Sequence, residues 1–311
     1  MNYFYGPVPS RRLGFSLGVN LTPKKFCTFN CIYCQIGKTS KKTVKRFFCV
    51  DMARFEKELQ EIIRKKPRID YISISGAGEP TLHKNLDLII DTIKRVTKNK
   101  YPVAVITNSS LLHKKEAREE LLFADLIVPS LDGATKKSFS QIDKPQKSIT
   151  FEKIIKGLIN LRKEFKGKIW LEIMLIGGIN DSLSEAYKFK ELINKIKPDK
   201  VQLNLPVRPS GVKIALPEYS RVKAIKKIIG PRAEIVSSFY KQAQKKFSES
   251  IEQDIIRYLK VRPATLIDLT KSLGQDKISL GKRLKALIGK RVIKEKIYHN
   301  KKYFVSGSAK N

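Results

Sequence analysis

Six short apolar segments alternate with helical patterns along the first two thirds of the chain, and this alternation constrains the fold most strongly. The segments lie near residues 15, 70, 103, 126, 170 and 201. In the helical pattern of residues 51–65, apolar residues recur at Phe55, Leu59, Ile62 and Ile63. Repeated strand–helix units form parallel sheets. We therefore predict an α/β fold in which all six strands end on one rim.

A short stretch after the first predicted strand carries three of the four cysteines. Cys27, Cys31 and Cys34 have the spacing C-x3-C-x2-C, and Cys49 follows much later. Soft thiolates on one short loop suit an iron–sulfur cluster or zinc. A structural zinc site needs four ligands, and no fourth His or Cys has the usual spacing. A four-iron cluster held by three cysteines keeps one iron free to bind a small molecule, and a fourth cysteine ligand would close that position. We therefore expect Cys49 to be a small buried residue.

The cysteine loop resembles the cluster motif of the radical SAM superfamily, with Tyr33 as the aromatic residue before Cys34. The resemblance implies that three cysteines hold a 4Fe-4S cluster and that the open iron binds S-adenosylmethionine (SAM). It further implies that one electron cleaves SAM to a 5′-deoxyadenosyl radical, with a reductase or another electron donor as partner. The competing interpretations are a structural zinc knuckle and ordinary buried cysteines.

A second stretch resembles the SAM-binding turn of the same superfamily. Gly76-Ala77-Gly78-Glu79 directly follows the second predicted strand, and the resemblance implies that its backbone and acid bind the SAM amino group. It also suggests SAM or substrate contacts at three later strand ends and beside the adenine, at Asn108, Ser130, Asp132 and Gly177. Helix capping and ordinary turns are the alternatives for these residues. The resemblance assigns no catalytic residue.

The resemblance implies a partial (β/α)6 TIM-like barrel over residues 1–245. The Pro9–Gly14 region and the cysteine loop also look broadly like a branch near the wyosine-synthesis enzymes.

Residues 5–12 are rich in Gly and Pro, and we predict turns there. We predict a surface loop or short hairpin over residues 40–50.

The pattern changes near residue 248. Three short helical patterns precede two strand patterns separated by His299, Asn300 and Lys301, an order that looks like a winged helix-turn-helix over residues 248–306. Its third helix would be the recognition helix. The polar face of that helix carries Lys282, Arg283 and Lys285.

The composition is strongly basic. Sixty-three Lys and Arg against twenty-nine Asp and Glu give a net charge of +34, which attracts polyanions. An RNA substrate such as a tRNA is our leading expectation, with Arg11, Arg12 and Arg208 as candidate ligands of a phosphate or carboxylate. The alternative explanation of the charge is a lysine-rich proteome, in which the lysines lie on solvated faces.

Clustered cysteines, no apolar leader and no membrane-length apolar run predict a cytoplasmic protein without membrane contacts.

Three functional hypotheses follow. The first is a radical SAM enzyme that modifies an RNA base. The second keeps the radical chemistry but acts on a protein or small molecule, for example as an activase. The third is a non-enzymatic regulator that binds nucleic acid and senses redox state through the cluster. The Gly76–Glu79 turn disfavours the third, because a sensor needs no SAM site.

Overall fold

The structure is a computed structural model that describes residues 3–22, 24–210, 212–236 and 251–307. Its strands are β1 (Phe4–Ser10), β2 (Gly14–Val19), β3 (Phe26–Cys27), β4 (Lys41–Lys42), β5 (Tyr71–Ile74), β6 (Val103–Thr107), β7 (Leu126–Pro129), β8 (Lys168–Met174), β9 (Lys200–Asn204), β10 (Ala233–Ile235), β11 (Ile293–Tyr298) and β12 (Lys301–Ser306). Its helices are α1 (Met52–Arg64), α2 (Leu86–Thr97), α3 (Lys115–Leu121), α4 (Lys136–Asp143), α5 (Phe151–Glu164), α6 (Leu183–Ile196), α7 (Tyr219–Ile229), α8 (Ile251–Val261), α9 (Leu266–Leu273) and α10 (Lys277–Gly289).

Eight strands form one sheet in the order β1-β2-β5-β6-β7-β8-β9-β10. The six strands from β2 to β9 are the predicted ones, and every neighbouring pair among them is parallel. β10 adds a further parallel strand beside β9, and β1 adds an antiparallel strand beside β2. The predicted α/β fold with a parallel sheet is therefore confirmed. The sequence did not predict β10, α4 and α7.

The two faces of the sheet differ in chemistry. One face carries apolar residues such as Leu17, Ile72 and Leu171, which pack in a single core with helix residues such as Phe55 and Phe189. The residues that alternate with them lie on the other face, because strand side chains alternate between faces. That face carries a smaller apolar cluster, which includes Ala104, Leu126 and Val128. It also carries buried polar residues, which include Ser16, Ser73, Glu172, Gln202 and Asn204.

The prediction of turns over residues 5–12 was wrong for most of that stretch. Phe4–Ser10 forms strand β1, and its pairing with β2 is irregular between Tyr5 and Val8. Proline is tolerated at the edge of a sheet, because an edge strand leaves some N–H groups unpaired. The predicted loop over residues 40–50 is present for most of its length. Its one strand, Lys41–Lys42, pairs in parallel with Phe26–Cys27 and does not form a hairpin within the loop.

The last described segment contains three helices and an antiparallel hairpin, in the predicted order. Val8 of β1 packs into its core beside Ile255, Tyr258 and Leu269. The assignment as a winged helix and the boundaries 1–245 and 248–306 stay predictions, and residues 237–250 lie outside the described part. No helix in the described ranges combines the length and apolar character needed to cross a bilayer.

The β11–β12 hairpin is hydrogen-bonded to the segment that follows β9. The Tyr303 hydroxyl donates to the Val207 carbonyl at 2.8 Å, and the Tyr298 hydroxyl donates to the Pro206 carbonyl at 3.2 Å. The C-terminal segment thus contacts β1, at one edge of the sheet, and the loop after β9, near the other edge. It spans the open side between the two ends of the sheet.

Candidate cluster and cofactor site

The three clustered cysteines lie on the loop after the carboxyl end of β2. Two tight turns shape this loop, with the Cys34 amide donating to the Cys31 carbonyl at 3.2 Å and the Gly37 amide to the Cys34 carbonyl at 3.1 Å. Burial raises the pKa of Cys27 to about 12 and that of Cys31 well above its usual value. The charge of Cys34, on the same short loop, raises both pKa values further.

The donor set fits an iron–sulfur cluster, because three thiols on one short loop supply the soft ligands that such clusters take from cysteine. Within the described ranges, no three His, Cys, Asp or Glu side chains are arranged to hold a single metal ion.

Cys49 lies apart from this arrangement. It is half-buried, and its thiol donates to the Leu21 carbonyl at 2.6 Å. Burial raises its pKa to about 11. Cys49 was expected to be a small buried residue, and it is half-buried here.

Asn108 connects the end of β6 to the cysteine loop. Its side-chain amide donates to Cys27 Sγ at 3.4 Å and to Thr28 Oγ1 at 2.9 Å. Its backbone amide donates to Glu79 Oε2 at 2.8 Å. One residue therefore joins the cysteine loop to the Gly76–Glu79 turn, two motifs that are far apart in the sequence.

The Glu79 carboxylate is buried and accepts hydrogen bonds from within the protein. Its donors are the Asn108 and Thr81 backbone amides and the Thr81 and Thr107 hydroxyls. Burial raises the pKa of Glu79, and these donors lower it. The Glu79 carboxylate therefore links the turn to the end of β6 through these hydrogen bonds.

The glycines of the turn permit close backbone approach. A Cβ on Gly78 would lie 2.0 Å from the Phe26 carbonyl oxygen, and one on Gly76 would lie 2.4 Å from Asn20 Oδ1. Gly76 also has a φ of +144°, which disfavours other residues. The Ala77 amide donates to Asn20 Oδ1 at 3.0 Å. The turn is therefore held against the strand that carries Cys27.

Two buried aspartates flank the cysteine loop on its other side. The Tyr33 hydroxyl donates to Asp132, whose second oxygen accepts from the Met174 amide at 2.8 Å. The Cys31 thiol donates to Asp143 Oδ1 at 3.2 Å. Burial raises the pKa of Asp132 to about 6 and that of Asp143 well above its usual value. Two predicted residues, Tyr33 and Asp132, thus meet directly.

The remaining two predicted cofactor residues lie farther along the sheet. The Ser130 amide donates to the Thr107 carbonyl at 2.9 Å, and Ser130 forms a parallel bridge with Glu172. The Gly177 amide donates to the Ala215 carbonyl at 3.0 Å, and a Cβ there would lie 2.8 Å from the Leu216 carbonyl oxygen. Ser130 therefore lies at the strand ends near Asn108, whereas Gly177 packs against the segment before α7.

A cavity of about 520 Å³ opens beside the cysteines. Cys31, Cys34 and Gln35 line it from the loop. The opposite wall is formed by Ser210, after β9, and by Lys294–Lys296 of β11. The C-terminal hairpin therefore forms part of the chamber that the cysteines face.

The predicted basic residues have different surroundings. Arg12 forms an ion pair with Glu172, so it supplies the partner that a buried mid-strand acid requires. Arg11 and Arg208 are partly exposed near the same cavity. On α10, Lys282 and Lys285 are exposed, whereas Arg283 forms an ion pair with Glu252.

Sequence reasoning missed several residues of this site. Asn20, Thr28 and Asp143 contact the predicted residues. Asn20 and Asp143 lie in stretches with no motif of their own, and Thr28 is one of the unspecified positions of the cysteine motif. Asn204 was detectable in principle, because it ends an apolar strand with an inward-facing amide, and it donates to Glu172 Oε2 at 3.3 Å.

The comparisons with known proteins agree with this geometry. The family described as Radical SAM superfamily matches residues 21–189. A UPF0026 protein of Methanocaldococcus jannaschii is 34% identical over 288 residues, covering 90% of this chain and 88% of that protein. A protein of Brachyspira hyodysenteriae named GTPase Obg is 40% identical over 94% of this chain. This chain spans only 43% of that protein's length.

More distant similarities point the same way. A protein of Thermotoga petrophila named "Probable dual-specificity RNA methyltransferase RlmN" is 26% identical, covering 67% of this chain and 61% of that protein. Among solved structures, a radical SAM methyltransferase from Sphaerobacter thermophilus has a TM-score of 0.54 at 16% identity, covering 71% of this chain and 65% of that one. The latter similarity concerns the fold alone.

These matches confirm the recognised superfamily, the fold class and the enzyme class, and the family implies SAM and a 4Fe-4S cluster as cofactors. The chain belongs to the radical SAM superfamily.

Proposed function

We propose that this protein is a radical SAM enzyme in which Cys27, Cys31 and Cys34 hold the 4Fe-4S cluster. The observation that supports this most is that Asn108 joins the Cys27 thiol of the cysteine loop to the Gly76–Glu79 turn at the strand ends. When bound, the cluster and SAM supply the one-electron cleavage that yields a 5′-deoxyadenosyl radical. A reductase or a comparable donor would provide the electron.

The proposed SAM site lies between the cysteine loop and the strand ends. The Gly76–Gly78 backbone, Asn108 and Ser130 would orient SAM, and Tyr33 with Asp132 would border it. Gly177 would back the adenine from the end of β8. Glu79 acts in this proposal by holding the turn and Asn108 in place, because its carboxylate already accepts four hydrogen bonds.

We propose an RNA base, for example in a tRNA, as the substrate. The net charge of +34 and the 26% identity to a protein named as an RNA methyltransferase support this choice. Lys282, Arg283 and Lys285 on α10 would contact the RNA backbone, and Arg11, Arg12 and Arg208 would lie nearer the reacting base. We also propose a cytoplasmic location, because unpaired, clustered cysteines suit a reducing compartment.

The test is an anaerobic incubation of the reconstituted protein with SAM, dithionite and total tRNA, followed by mass spectrometry of the nucleosides. We expect a new modified nucleoside with wild type and none with Cys34→Ala. Binding to the true RNA should survive salt concentrations at which bulk electrostatic binding fades. Formation of 5′-deoxyadenosine without any RNA product or salt-resistant RNA complex would contradict the choice of RNA.

A further inference from the structure

Four arginines from distant parts of the chain meet where the C-terminal segment spans the open side of the sheet. Arg11 and Arg12 follow β1, Arg208 follows β9, and Arg262 follows α8. Arg262 lies close enough to the other three that its charge lowers their pKa values, and Arg11 lowers those of Arg12 and Arg208. We call Arg11, Arg208 and Arg262 the arginine triad.

The arginine triad lacks counterions in the structure. Arg12 is neutralised by its ion pair with Glu172, but in the described part of the chain no member of the triad forms an ion pair. The Nε atoms of Arg208 and Arg262 are buried, and neither has a hydrogen-bond partner among the described residues. Burial lowers the pKa of Arg11 to about 10 and that of Arg208 to about 9.

The nearest acid does not serve as the missing partner. The charge of Asp268 acts on Arg11 and Arg208. However, its Oδ2 accepts from the Thr265 amide and the Thr265 hydroxyl, both at 3.0 Å, in the capping box of α9. A buried N–H donor without an acceptor is costly, as at the Nε atoms of Arg208 and Arg262. Guanidinium groups suit multidentate binding of oxyanions.

The position of the triad connects it to the chamber beside the cysteines. Arg208 directly precedes Pro209 and Ser210, and Arg262 directly precedes Pro263. All three of these following residues line the 520 Å³ cavity together with Cys31 and Cys34. An anion on the triad would therefore lie at the edge of the chamber, with the rest of its molecule free to extend toward the cysteines.

We propose that the arginine triad binds a phosphate group of the substrate, with Arg262 supplied by the C-terminal segment and Arg11 and Arg208 by the sheet. Phosphate is favoured over carboxylate because it offers more acceptor oxygens to three neighbouring guanidinium groups, and a phosphate monoester adds a second negative charge. This inference rests on the proposed function for the role of the chamber. It predicts that the C-terminal segment completes the substrate site.

The test measures thermal unfolding of the full-length reconstituted protein with increasing inorganic phosphate, at ionic strength held constant with chloride. We expect phosphate to raise the Tm of wild type by at least about 2 °C, because a ligand bound only to the folded state stabilises it. Acetate at equal concentration should raise it less. In Arg208→Gln and Arg262→Gln, the rise with phosphate should be lost.

Two features keep the test decisive. Without phosphate, each triad variant should melt at or above the Tm of wild type, because it removes repulsion between neighbouring positive charges. Such a melting transition would show that the variants fold. Arg54→Gln removes an exposed arginine of α1 and should keep the full response to phosphate. An equal response in wild type, Arg208→Gln and Arg54→Gln would overturn the proposal and leave only general charge screening.

Competition with RNA identifies the source of the phosphate. If an RNA phosphodiester occupies the triad, inorganic phosphate should displace bound RNA, and Arg208→Gln should weaken RNA binding at fixed salt more than Arg54→Gln does. If the source is a small phosphorylated molecule, RNA and phosphate should bind independently while the triad variants still lose the phosphate response. Because Tm does not depend on turnover, loss of this response would leave the proposed radical chemistry untouched.

Discussion

At the scale of single residues, Asn108 carries the connection between the cysteine loop and the Gly76–Glu79 turn. Its side chain reaches Cys27 Sγ and Thr28, and its backbone reaches Glu79. The sequence could place Asn108 at a strand end, because β6 has a clear apolar pattern. It could not show which atoms Asn108 contacts, since Thr28 lies 80 residues away in the chain.

Asn108→Asp should weaken retention of the cluster. The change replaces an N–H donor with a carboxylate facing the sulfur of Cys27, and a hydrogen bond to a charged group contributes about 1.5–3 kcal/mol. We expect iron to be lost at least about ten times faster during anaerobic gel filtration with a chelator, measured as iron per chain. Asn99→Asp, on an exposed turn, should retain iron as wild type does, and equal retention by both variants would contradict this role.

His83 should make stability depend on pH. It is 3% exposed, and burial lowers its pKa from 6.5 to about 4. Because the unfolded chain binds the proton more readily, stability from the neutral ring is present above pH 6.5 and is lost as the pH falls toward 4. Urea unfolding should show wild type losing up to about 1.4 kcal/mol per pH unit more than His83→Gln in this window.

The matched control for this prediction is His299→Gln, on the exposed turn of the hairpin. It should follow the wild-type dependence on pH. If the free energies of unfolding of wild type and His83→Gln differ by the same amount from pH 6.5 to pH 4, His83 does not titrate as described.

At the scale of elements, the spacing of apolar residues predicted helices and strands correctly where a segment buries one regular face. The six parallel strands and most of the helices between them appear close to their predicted bounds. β1 escaped prediction because Gly6, Pro7 and Pro9 are turn residues in most contexts, and only the position of β1 at the edge of the sheet makes them acceptable. β3 and β4 are two residues each, too short for any periodic signal.

The Gly76–Glu79 turn and β3 should behave as one unit. A Cβ on Gly78 would lie 2.0 Å from the Phe26 carbonyl oxygen, which also accepts from the Glu79 amide at 3.1 Å. Gly78→Ala must therefore push Phe26 and Cys27 away. We expect a loss of stability of about 1–3 kcal/mol and a fall in iron content, measured by thermal melts and iron analysis.

Gly281→Ala provides the opposite case. Gly281 lies inside α10, and no heavy atom would lie within 4 Å of an added Cβ. Alanine should stabilise that helix by about 0.5–1 kcal/mol and leave the iron content unchanged. If Gly78→Ala were as stable as wild type, the proposed packing of the turn against β3 would be incorrect.

At the scale of the whole molecule, the C-terminal segment bridges β1 and the loop after β9. The sequence indicated its three helices and hairpin, because their short apolar patterns are regular. It could not indicate where the segment sits, since that depends on contacts such as Tyr303 with Val207 and Val8 with the helices. For the same reason, the meeting of Arg11, Arg208 and Arg262 could be recognised only in three dimensions.

The central claim is that the three clustered cysteines, and not Cys49, support SAM cleavage. The most direct measurement is 5′-deoxyadenosine formation by anaerobically reconstituted wild type, Cys34→Ala and Cys49→Ala with SAM and dithionite. The account predicts product from wild type and Cys49→Ala, and none from Cys34→Ala. Product from Cys34→Ala at the wild-type rate, or no product from wild type with a full cluster, would contradict it.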